Sequence, residues 1–370
     1  RRLTLRMLFK LKSLRPLHVV LVSPCMGAFG GLENFVLTIA QGVAQLPGFS
    51  VELIFKRAGS FSLHQDLVQK ISEAGVKTTF CSRMSLSLWR SVRRADLVHV
   101  QNPCPDVVLM ARLAGKPLLI NVINHTQGGG VLHKRLWRVC LHLAHRRFYI
   151  SDFVRRSWEQ TTQPWTGSQV VFPICELSLL TSLPLEERSG FVFVARWIEN
   201  KGLDTLLEAY ASSGLNPSLW PLRLLGDGPI RPRILARLKE LGLAGTVETP
   251  GFLPENEKAE RIRRSRFAVI PPNTGEDFGL VAIEARQLGI PCLITRDGGV
   301  PEAAGPHSLS CAPGSVDALT RLLQQAAAMP DDDYRRLAQA AHTSLEAELV
   351  RPEFYGEVYR AMLLSPSLSV

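Results

Sequence analysis

The sequence predicts an α/β protein of two doubly wound domains, each a parallel sheet with helices on both faces. Three observations support this fold class. The chain has 370 residues, which is about twice the usual domain size. Short β-branched and apolar runs alternate with helical segments, as in parallel sheets. The runs are continuously apolar, as in strands that are buried on both faces.

The first domain opens with a strand, a glycine loop and a helix. Residues 18–23 (HVVLVS) form the predicted strand, the loop is 24–31 (PCMGAFGG), and apolar residues at helical spacing predict a helix over 32–45. Further strands of this domain are predicted at 50–55, 97–100, 117–122 and 147–150.

A second series of strands predicts the second domain. These strands are expected at 190–195, 221–225, 247–251, 267–270 and 291–295. A linker with Pro184 is predicted near 180–188, so we divide the chain into domains 1–183 and 184–351, followed by a C-terminal helical segment, 352–370. Open parallel sheets bind ligands at the C-terminal ends of their strands, and we expect the ligand between two facing domains.

Composition excludes several classes of protein. Hydrophobic residues make up 46% and charged residues 21% of the chain, which excludes disordered and collagen-like sequences. No apolar stretch reaches the ~20 residues of a membrane helix. The basic N-terminus lacks the uninterrupted apolar centre of a signal peptide, so we expect a cytoplasmic protein. Seven scattered cysteines without a CxxC pair predict neither a disulfide framework nor a zinc site.

Positive charge is concentrated in the first half of the chain. Residues 1–180 carry 23 Lys and Arg against 9 Asp and Glu, whereas 181–370 carry 20 against 24. Two basic stretches also contain apolar and aromatic residues, which suits helices on an anionic membrane surface. Their residues are Arg83, Leu86, Leu88, Trp89, Arg90, Arg93 and Arg94 in one, and Leu132, Lys134, Arg135, Leu136, Trp137, Arg138 and Leu141 in the other.

We therefore expect peripheral contact with the inner face of the cytoplasmic membrane. An ordinary solvated basic surface is the alternative. The sequence has no zinc-finger spacing, RNP-like aromatic motif or basic region followed by heptads, so we expect no nucleic-acid partner.

The strongest local signal is the segment 276–285 (EDFGLVAIEA), which follows the predicted strand 267–270. Glu276 and Glu284 lie eight positions apart, so a helix would separate them by up to ~12 Å. This spacing suits holding two ends of one extended ligand. The backbone N–H groups of Phe278, Gly279 and Leu280 open the helix and can bind a phosphate. The alternative is an ordinary helix N-terminus, which prefers acidic residues.

A second group of polar residues follows the strand 190–195. Arg196 and Lys201 lie five positions apart in its loop, where a guanidinium fork and an ammonium can together neutralise a diphosphate. Three more loops follow strand ends: 226–229 (GDGP), 251–253 (GFL) and 298–302 (GGVPE). Individually these loops are ordinary turns. Together they are predicted to line one edge of the sheet, at the C-terminal ends of its strands.

Taken in this order, the motifs resemble those of the retaining glycosyltransferases of family four. That family has the GT-B fold, two facing Rossmann-like domains with a cleft between them. The resemblance is densest over residues 191–302, and 30–33 (GGLE) and 150–154 (ISDFV) extend it into the first half. It also implies that the C-terminal helix crosses back onto the first domain.

The resemblance implies a role for each matching residue. Glu276 is expected to touch the donor-sugar hydroxyls and Glu284 the ribose hydroxyls, while Arg196 and Lys201 are similar to the diphosphate-binding pair. His125 follows a predicted strand, where the family often keeps a histidine near the donor sugar. The other implied contacts are the backbone donors of Phe278, Gly279 and Leu280, a nucleobase border at Gly251, Phe252 and Leu253, and a phosphate approach at Gly30 and Gly31.

The resemblance also implies a mechanism. The acidic metal motif of GT-A enzymes is absent, which agrees with metal-independent transfer. We expect no metal and no cofactor beyond a nucleotide-diphosphate sugar of UDP or GDP type as donor. Retention would proceed by same-face attack, with the acceptor proton leaving through the departing phosphate oxygen.

We therefore expect a hexosyltransferase that acts on a glycan or lipid-linked acceptor in cell-surface polysaccharide or lipopolysaccharide synthesis. A GT-B sugar phosphorylase or epimerase is a second enzyme class, and a non-catalytic glycosyltransferase-like subunit is a third possibility. The presence of Glu276, Glu284, Arg196 and Lys201 disfavours the non-catalytic subunit.

Overall fold

The structure is a computed structural model, which describes residues 15–25, 27, 30–57, 62–126, 130–173 and 183–364. Internal contacts divide the chain into two units. The first unit comprises residues 1–150, 154–175 and 350–370, and the second comprises 151–153 and 176–349.

The first unit has a parallel sheet, and its first two strands are the longest. Its strands are β1 (Leu17–Cys25), β2 (Phe49–Arg57), β3 (Lys77–Cys81), β4 (Leu97–Gln101), β5 (Leu118–Val122), β6 (Arg146–Tyr149) and β7 (Ser168–Val170). Its helices are α1 (Gly31–Ala44), α2 (Gln65–Ala74), α3 (Leu86–Arg94), α4 (Pro105–Leu113), α5 (Val131–Leu143) and α6 (Asp152–Glu159), joined by the last helix of the chain, α14 (Pro352–Leu364).

The strand order in this sheet is β3-β2-β1-β4-β5-β6-β7. The central strands β1, β4 and β5 are almost entirely buried, because helices cover both faces of the sheet. Helix α14 packs against α1, where Pro352 fills the space beside Gly42. Tyr355 and Tyr359 of α14 belong to the buried apolar core of this unit.

The second unit repeats the strand, loop and helix pattern. Its strands are β8 (Phe191–Val194), β9 (Leu222–Leu225), β10 (Glu248–Gly251), β11 (Phe267–Ile270), β12 (Cys292–Thr295) and β13 (Leu309–Cys311). Its helices are α7 (Leu203–Ser212), α8 (Arg231–Glu240), α9 (Glu255–Arg263), α10 (Leu280–Gln287), α11 (Val300–Ala304), α12 (Val316–Ala327) and α13 (Asp331–Glu346).

The sheet of the second unit has the order β10-β9-β8-β11-β12-β13, with parallel pairing throughout. Phe191, Phe267 and Leu293 from three neighbouring strands meet Trp197 and Tyr334 in its core. Because all strands run in the same direction, the loops that follow them emerge at one edge of the sheet.

These sheets confirm the predicted doubly wound α/β class. Each strand that the sequence predicted is present, and the helix expected over 32–45 is α1. The prediction missed β3, β7 and β13, which are edge strands of their sheets. Edge strands are half exposed and therefore carry polar residues; two of these have only three residues each, too few for a visible pattern.

Two further findings concern the membrane and the cysteines. None of the helices in the described ranges is long and apolar enough to cross a bilayer. The six cysteines in those ranges are free and buried, so they pack as small apolar side chains. The seventh, Cys175, lies outside the described residues.

Candidate functional site

Two loops at the C-terminal edge of the second sheet pack backbone to backbone. They follow β8 and β9, and the second contains Gly226 and Gly228. A Cβ atom at Gly226 would overlap the carbonyl oxygen of Ala195, and one at Gly228 would overlap that of Trp197. Any larger residue would push the loops apart, so these glycines hold the β8 loop in place.

Lys201 and Glu276 form an ion pair at the same edge. Lys201 ends the short 3-10 helix Glu199–Lys201 after β8, and Glu276 lies 75 positions later, in the loop after β11. Their side chains are 23% and 13% exposed. A ligand can therefore reach both groups, while the partly buried setting strengthens their attraction.

The ion pair lies where the strand order of the sheet reverses. The chain runs outward from β8 to β9 and β10, then returns to place β11 on the other side of β8. The loops after β8 and β11 diverge from this point, and open α/β sheets bind their ligands there. The sequence placed Lys201 and Glu276 at two strand ends, and the sheet order brings them together.

The loop after β12 holds the backbone of Glu276 from both sides. The N–H of Glu276 donates to the carboxylate of Asp297 at 2.9 Å, and its carbonyl accepts from the N–H of Gly299 at 2.9 Å. Gly298 has a φ of +56°, and a Cβ there would overlap the carbonyl oxygen of Glu276. The glycines of this loop were predicted from the sequence, but Asp297 was not, although it opens an Asp-Gly-Gly run after a strand.

Helix α10 begins shortly after Glu276. Gly279 precedes it with a φ of +91° and supplies no side-chain cap. The N–H groups of Gly279, Leu280 and Val281 donate to no acceptor within the described ranges. Uncapped N–H groups at a helix start carry partial positive charge and attract anions. The side chain of Phe278 is buried beside this turn, so Phe278 could contact a ligand only through its backbone.

Glu284, on the second turn of α10, is paired with a lysine that sequence analysis did not single out. Lys258 of α9 places its Nζ 3.1 Å from one carboxylate oxygen of Glu284 and 3.0 Å from the other. Burial raises the pKa of Glu284 above its usual range, and Lys258 opposes this shift. No local motif marks Lys258, because the contact joins residues 26 positions apart.

The loop after β10 lies beside the β9 loop. The N–H of Gly226 donates to the carbonyl of Gly251 at 2.9 Å, and Gly251 has a φ of +88°. The next residue, Phe252, is 76% exposed, and Leu253 is half-buried. This loop presents backbone groups and one uncovered aromatic ring at the rim of the sheet.

Arg196 is the predicted site residue that the second unit leaves without a charged partner. Its side chain is exposed, and it forms no ion pair with any residue that the structure describes. Lys201, by contrast, is paired with Glu276. That Arg196 and Lys201 act together on one ligand stays a prediction.

Three predicted site residues lie in the first unit. Gly30 and Gly31 are at the start of α1, where the carbonyl of Gly30 accepts from the N–H of Asn34 at 2.9 Å. In the first turn Glu33 is buried, and burial raises the pKa of its carboxyl group. His125 follows β5 and is half-buried. The donor contacts expected of Gly30, Gly31 and His125 stay predictions.

Comparison with known proteins shows a family match over the second unit. A sequence model of the family described as glycosyl transferases group 1 matches residues 182–344. The D-inositol 3-phosphate glycosyltransferase of Gordonia bronchialis is 36% identical over 165 residues, which are 41% of this chain and 35% of that protein. The aligned segments span less than half the length of each curated relative.

Solved structures share the fold over nearly the whole chain. Anabaena Alr3699/HepE in complex with UDP has a TM-score of 0.78 at 14% identity and covers 94% of this chain and 99% of its own. WaaG, a glycosyltransferase involved in lipopolysaccharide biosynthesis, has a TM-score of 0.66 at 18% identity and covers 92% of this chain and 99% of its own. These likenesses confirm the GT-B fold class that the resemblance implies.

Proposed function

We propose that this chain, whose residues 182–344 match the family described as glycosyl transferases group 1, is a hexosyltransferase. It would move a hexose from a nucleotide-diphosphate sugar to a glycan or lipid-linked acceptor in cell-surface polysaccharide or lipopolysaccharide synthesis. The observation that carries the proposal is the Lys201–Glu276 pair at the reversal of strand order, beside the uncapped start of α10.

The diphosphate would be bound by the cationic groups of this edge. An ammonium has three donors, so Lys201 can keep Glu276 and still donate to a phosphate oxygen. The exposed guanidinium of Arg196 would add a forked contact, and the N–H groups of Gly279 and Leu280 would add backbone donors. Together they would stabilise the negative charge that develops as the glycosidic bond breaks.

The rest of the donor would follow the same edge. Glu276 would accept from hydroxyls of the sugar and Glu284 from those of the ribose. The exposed loop of Gly251, Phe252 and Leu253 would border the nucleobase. UDP is our first choice of nucleotide because Anabaena Alr3699/HepE was crystallised with UDP, and GDP is the second.

Transfer would retain the anomeric configuration without a metal ion. The bond from the anomeric carbon to the phosphate oxygen breaks, and the acceptor oxygen bonds to the same face of that carbon. The acceptor proton passes to the departing phosphate oxygen. In this proposal His125, Gly30 and Gly31 of the first unit serve the sugar and the phosphates.

The first unit, which would bind the acceptor, would lie against the anionic inner face of the cytoplasmic membrane. Five apolar residues of α5 are exposed, with Leu132 at 81%. Basic residues are interleaved with them, and α5 contains no acidic residue. Such a face fits a negatively charged lipid surface. The five residues are Val131, Leu132, Leu136, Val139 and Leu143.

The structure corrects part of the predicted membrane face. Leu88 and Leu141, which sequence analysis included, are fully buried in the first unit. Trp137 is half-buried and stacks on Trp158 with ring centroids 5.1 Å apart. One side of each of the helices α3 and α5 thus packs into the core, and only the opposite side can contact lipid.

An assay with labelled UDP-hexoses and GDP-hexoses tests the proposal. We expect sugar transfer by the wild type, and a loss of at least ~100-fold in kcat for Lys201→Met and Glu276→Gln. Lys239→Met, an exposed lysine of α8, is the control and should stay near wild type. NMR of the product should show retention. Normal turnover in either site variant would contradict the site, and release of a sugar phosphate would indicate a phosphorylase.

A further inference from the structure

Lys258 connects the helix that follows the proposed nucleobase loop to the helix that carries Glu284. Helix α9 starts at Glu255, directly after Leu253 and Pro254. The ammonium of Lys258 contacts both oxygens of Glu284, at 3.1 and 3.0 Å, and the carboxylate of Glu255 at 2.7 Å. The side chains of Lys258 and Glu284 are 18% and 31% exposed, so their contact is partly shielded from water, whereas Glu255 is 77% exposed.

The charges around Glu284 set its protonation state. Burial disfavours the ionised form and raises the pKa of Glu284, and the nearby Glu255 acts in the same direction. Lys258 is the cation that opposes both. Burial would lower the pKa of Lys258, but the two carboxylates outweigh burial and the pKa is raised. Lys258 therefore keeps its proton and provides a positive charge for the Glu284 carboxylate.

An ionised carboxylate held in one orientation is best suited to recognise a diol. An ionised carboxylate has about four acceptor positions, whereas a protonated one carries an O–H donor. Lys258 takes one position on each oxygen and leaves one on each. Two adjacent acceptors match the two neighbouring hydroxyls of a ribose, since each hydroxyl donates one hydrogen bond.

We infer that Lys258 is a positioning residue that holds Glu284 ionised and in one orientation, so that the site selects ribonucleotide over 2′-deoxyribonucleotide donors. This inference rests on the proposed function. It goes beyond the resemblance, because it assigns the selectivity to a contact between α9 and α10.

The test measures the affinity of wild type and variants for UDP and 2′-deoxy-UDP, and for GDP and 2′-deoxy-GDP, by titration calorimetry. A hydrogen bond to a charged group contributes about 1.5–3 kcal/mol, which corresponds to about 10–150-fold in affinity. We expect the wild type to prefer the ribonucleotide by about that factor. In Lys258→Met the affinities for the ribonucleotide and the 2′-deoxyribonucleotide should differ by less than about threefold. Lys258→Arg should keep most of the wild-type preference.

Steady-state kinetics and a matched control separate positioning from simple stabilisation of the fold. For Lys258→Met we expect a higher KM for the nucleotide sugar with kcat within about threefold of wild type, because the diol contact lies away from the reacting carbon. Glu255→Gln removes the other partner of Lys258 and leaves the Glu284 contact. That control should keep the ribonucleotide preference.

The outcomes distinguish this inference from the proposed function. If Lys258→Met binds nucleotide and keeps the full ribonucleotide preference, the inference is wrong and the proposed function stands. Equal weakening of both nucleotides would show a structural role and would also overturn the inference. If Lys258→Met does not fold, Lys258→Gln replaces it in the test. Loss of the ribonucleotide preference in Lys258→Gln would support the inference, and a retained preference would overturn it. If the wild type binds none of the four nucleotides, the proposed function fails and the inference fails with it.

Discussion

Single residues in the second unit act mainly by what their backbone allows. At Gly298 and Gly299 the carbonyl oxygens of Glu276 and Asp277 occupy the space that a side chain would need. The N–H of Gly299 also holds the carbonyl of Glu276. The position of the Glu276 carboxylate therefore depends on two residues without side chains, about twenty positions further along the chain.

Replacing Gly298 tests this dependence. Gly298→Ala should lower kcat/KM by ~100-fold, because displacement of a reacting group by ~1 Å has an effect of that size. Gly242→Ala is a matched control: its φ of +70° is equally unfavourable for alanine, but nothing lies within 4 Å of the added Cβ. The control should lose about 1 kcal/mol of unfolding free energy and keep its activity. Equal activity of the two variants would show that the Gly298 contact does not position Glu276.

At the scale of elements, helix α14 is tied to the central strands of the first unit by buried polar contacts. The hydroxyl of Tyr359 lies 2.7 Å from Nδ1 of His99 on β4, and Asn121 of β5 donates to Tyr355 at 3.4 Å. Burial lowers the pKa of His99 from 6.5 to about 3. The imidazole is therefore neutral in the fold at neutral pH, because burial disfavours its charged form.

Acid should weaken the first unit through His99. The unfolded chain binds a proton near pH 6.5, whereas the folded chain does so only near pH 3. Stability from this group is therefore complete above pH 6.5 and declines as pH falls towards 3, by about 1.4 kcal/mol per pH unit. Urea unfolding at pH 7.0 and 5.5 should show this decline in wild type and a shallower one in His99→Gln. Identical pH dependence would rule out His99 as the source.

At the scale of the whole molecule, the distribution of charge distinguishes the two halves of the chain. Between residues 83 and 147 the acidic residues are Asp96 and Asp106. Asp96 is paired with Arg15 at 2.8 Å and Asp106 with Lys56 at 2.5 Å. Helices α3 and α5 contain no acidic residue, and Asp106 of α4 is paired with Lys56 of β2. The field of the basic residues on these helices therefore extends to solvent.

Charge reversal on α5 should reduce binding to anionic vesicles. Each basic residue near such a surface contributes about 1 kcal/mol, so Lys134→Glu, Arg135→Glu and Arg138→Glu together should lower the partition coefficient by more than ~100-fold. The combination of Lys239→Glu, Arg335→Glu and Arg336→Glu in the second unit has the same net charge and should bind like wild type. Sedimentation with phosphatidylserine vesicles measures both. A similar loss in both triple variants would indicate a net-charge effect and not a membrane face.

The sequence by itself determined the fold class and the local motifs. Strands such as β1, β8 and β11 are buried on both faces, so their apolar runs were visible without any tertiary information. The segment from Glu276 to Glu284 was equally visible, because a loop and the helix that follows it are specified by neighbouring residues. The edge strands β3, β7 and β13 were not visible, since their polarity or short length resembles that of loops, whereas the edge strand β10 was predicted.

Only the tertiary structure decided which of these residues meet. Lys201 reaches Glu276 because β11 lies beside β8, and this order results from the packing of the whole sheet. Lys258 reaches Glu284 because α9 and α10 are neighbours, and Asp297 reaches Glu276 because the β12 loop folds over it. Such pairs join residues that are 21 to 75 positions apart. Their energies depend on burial and distance, and neither is set by residues nearby in the sequence.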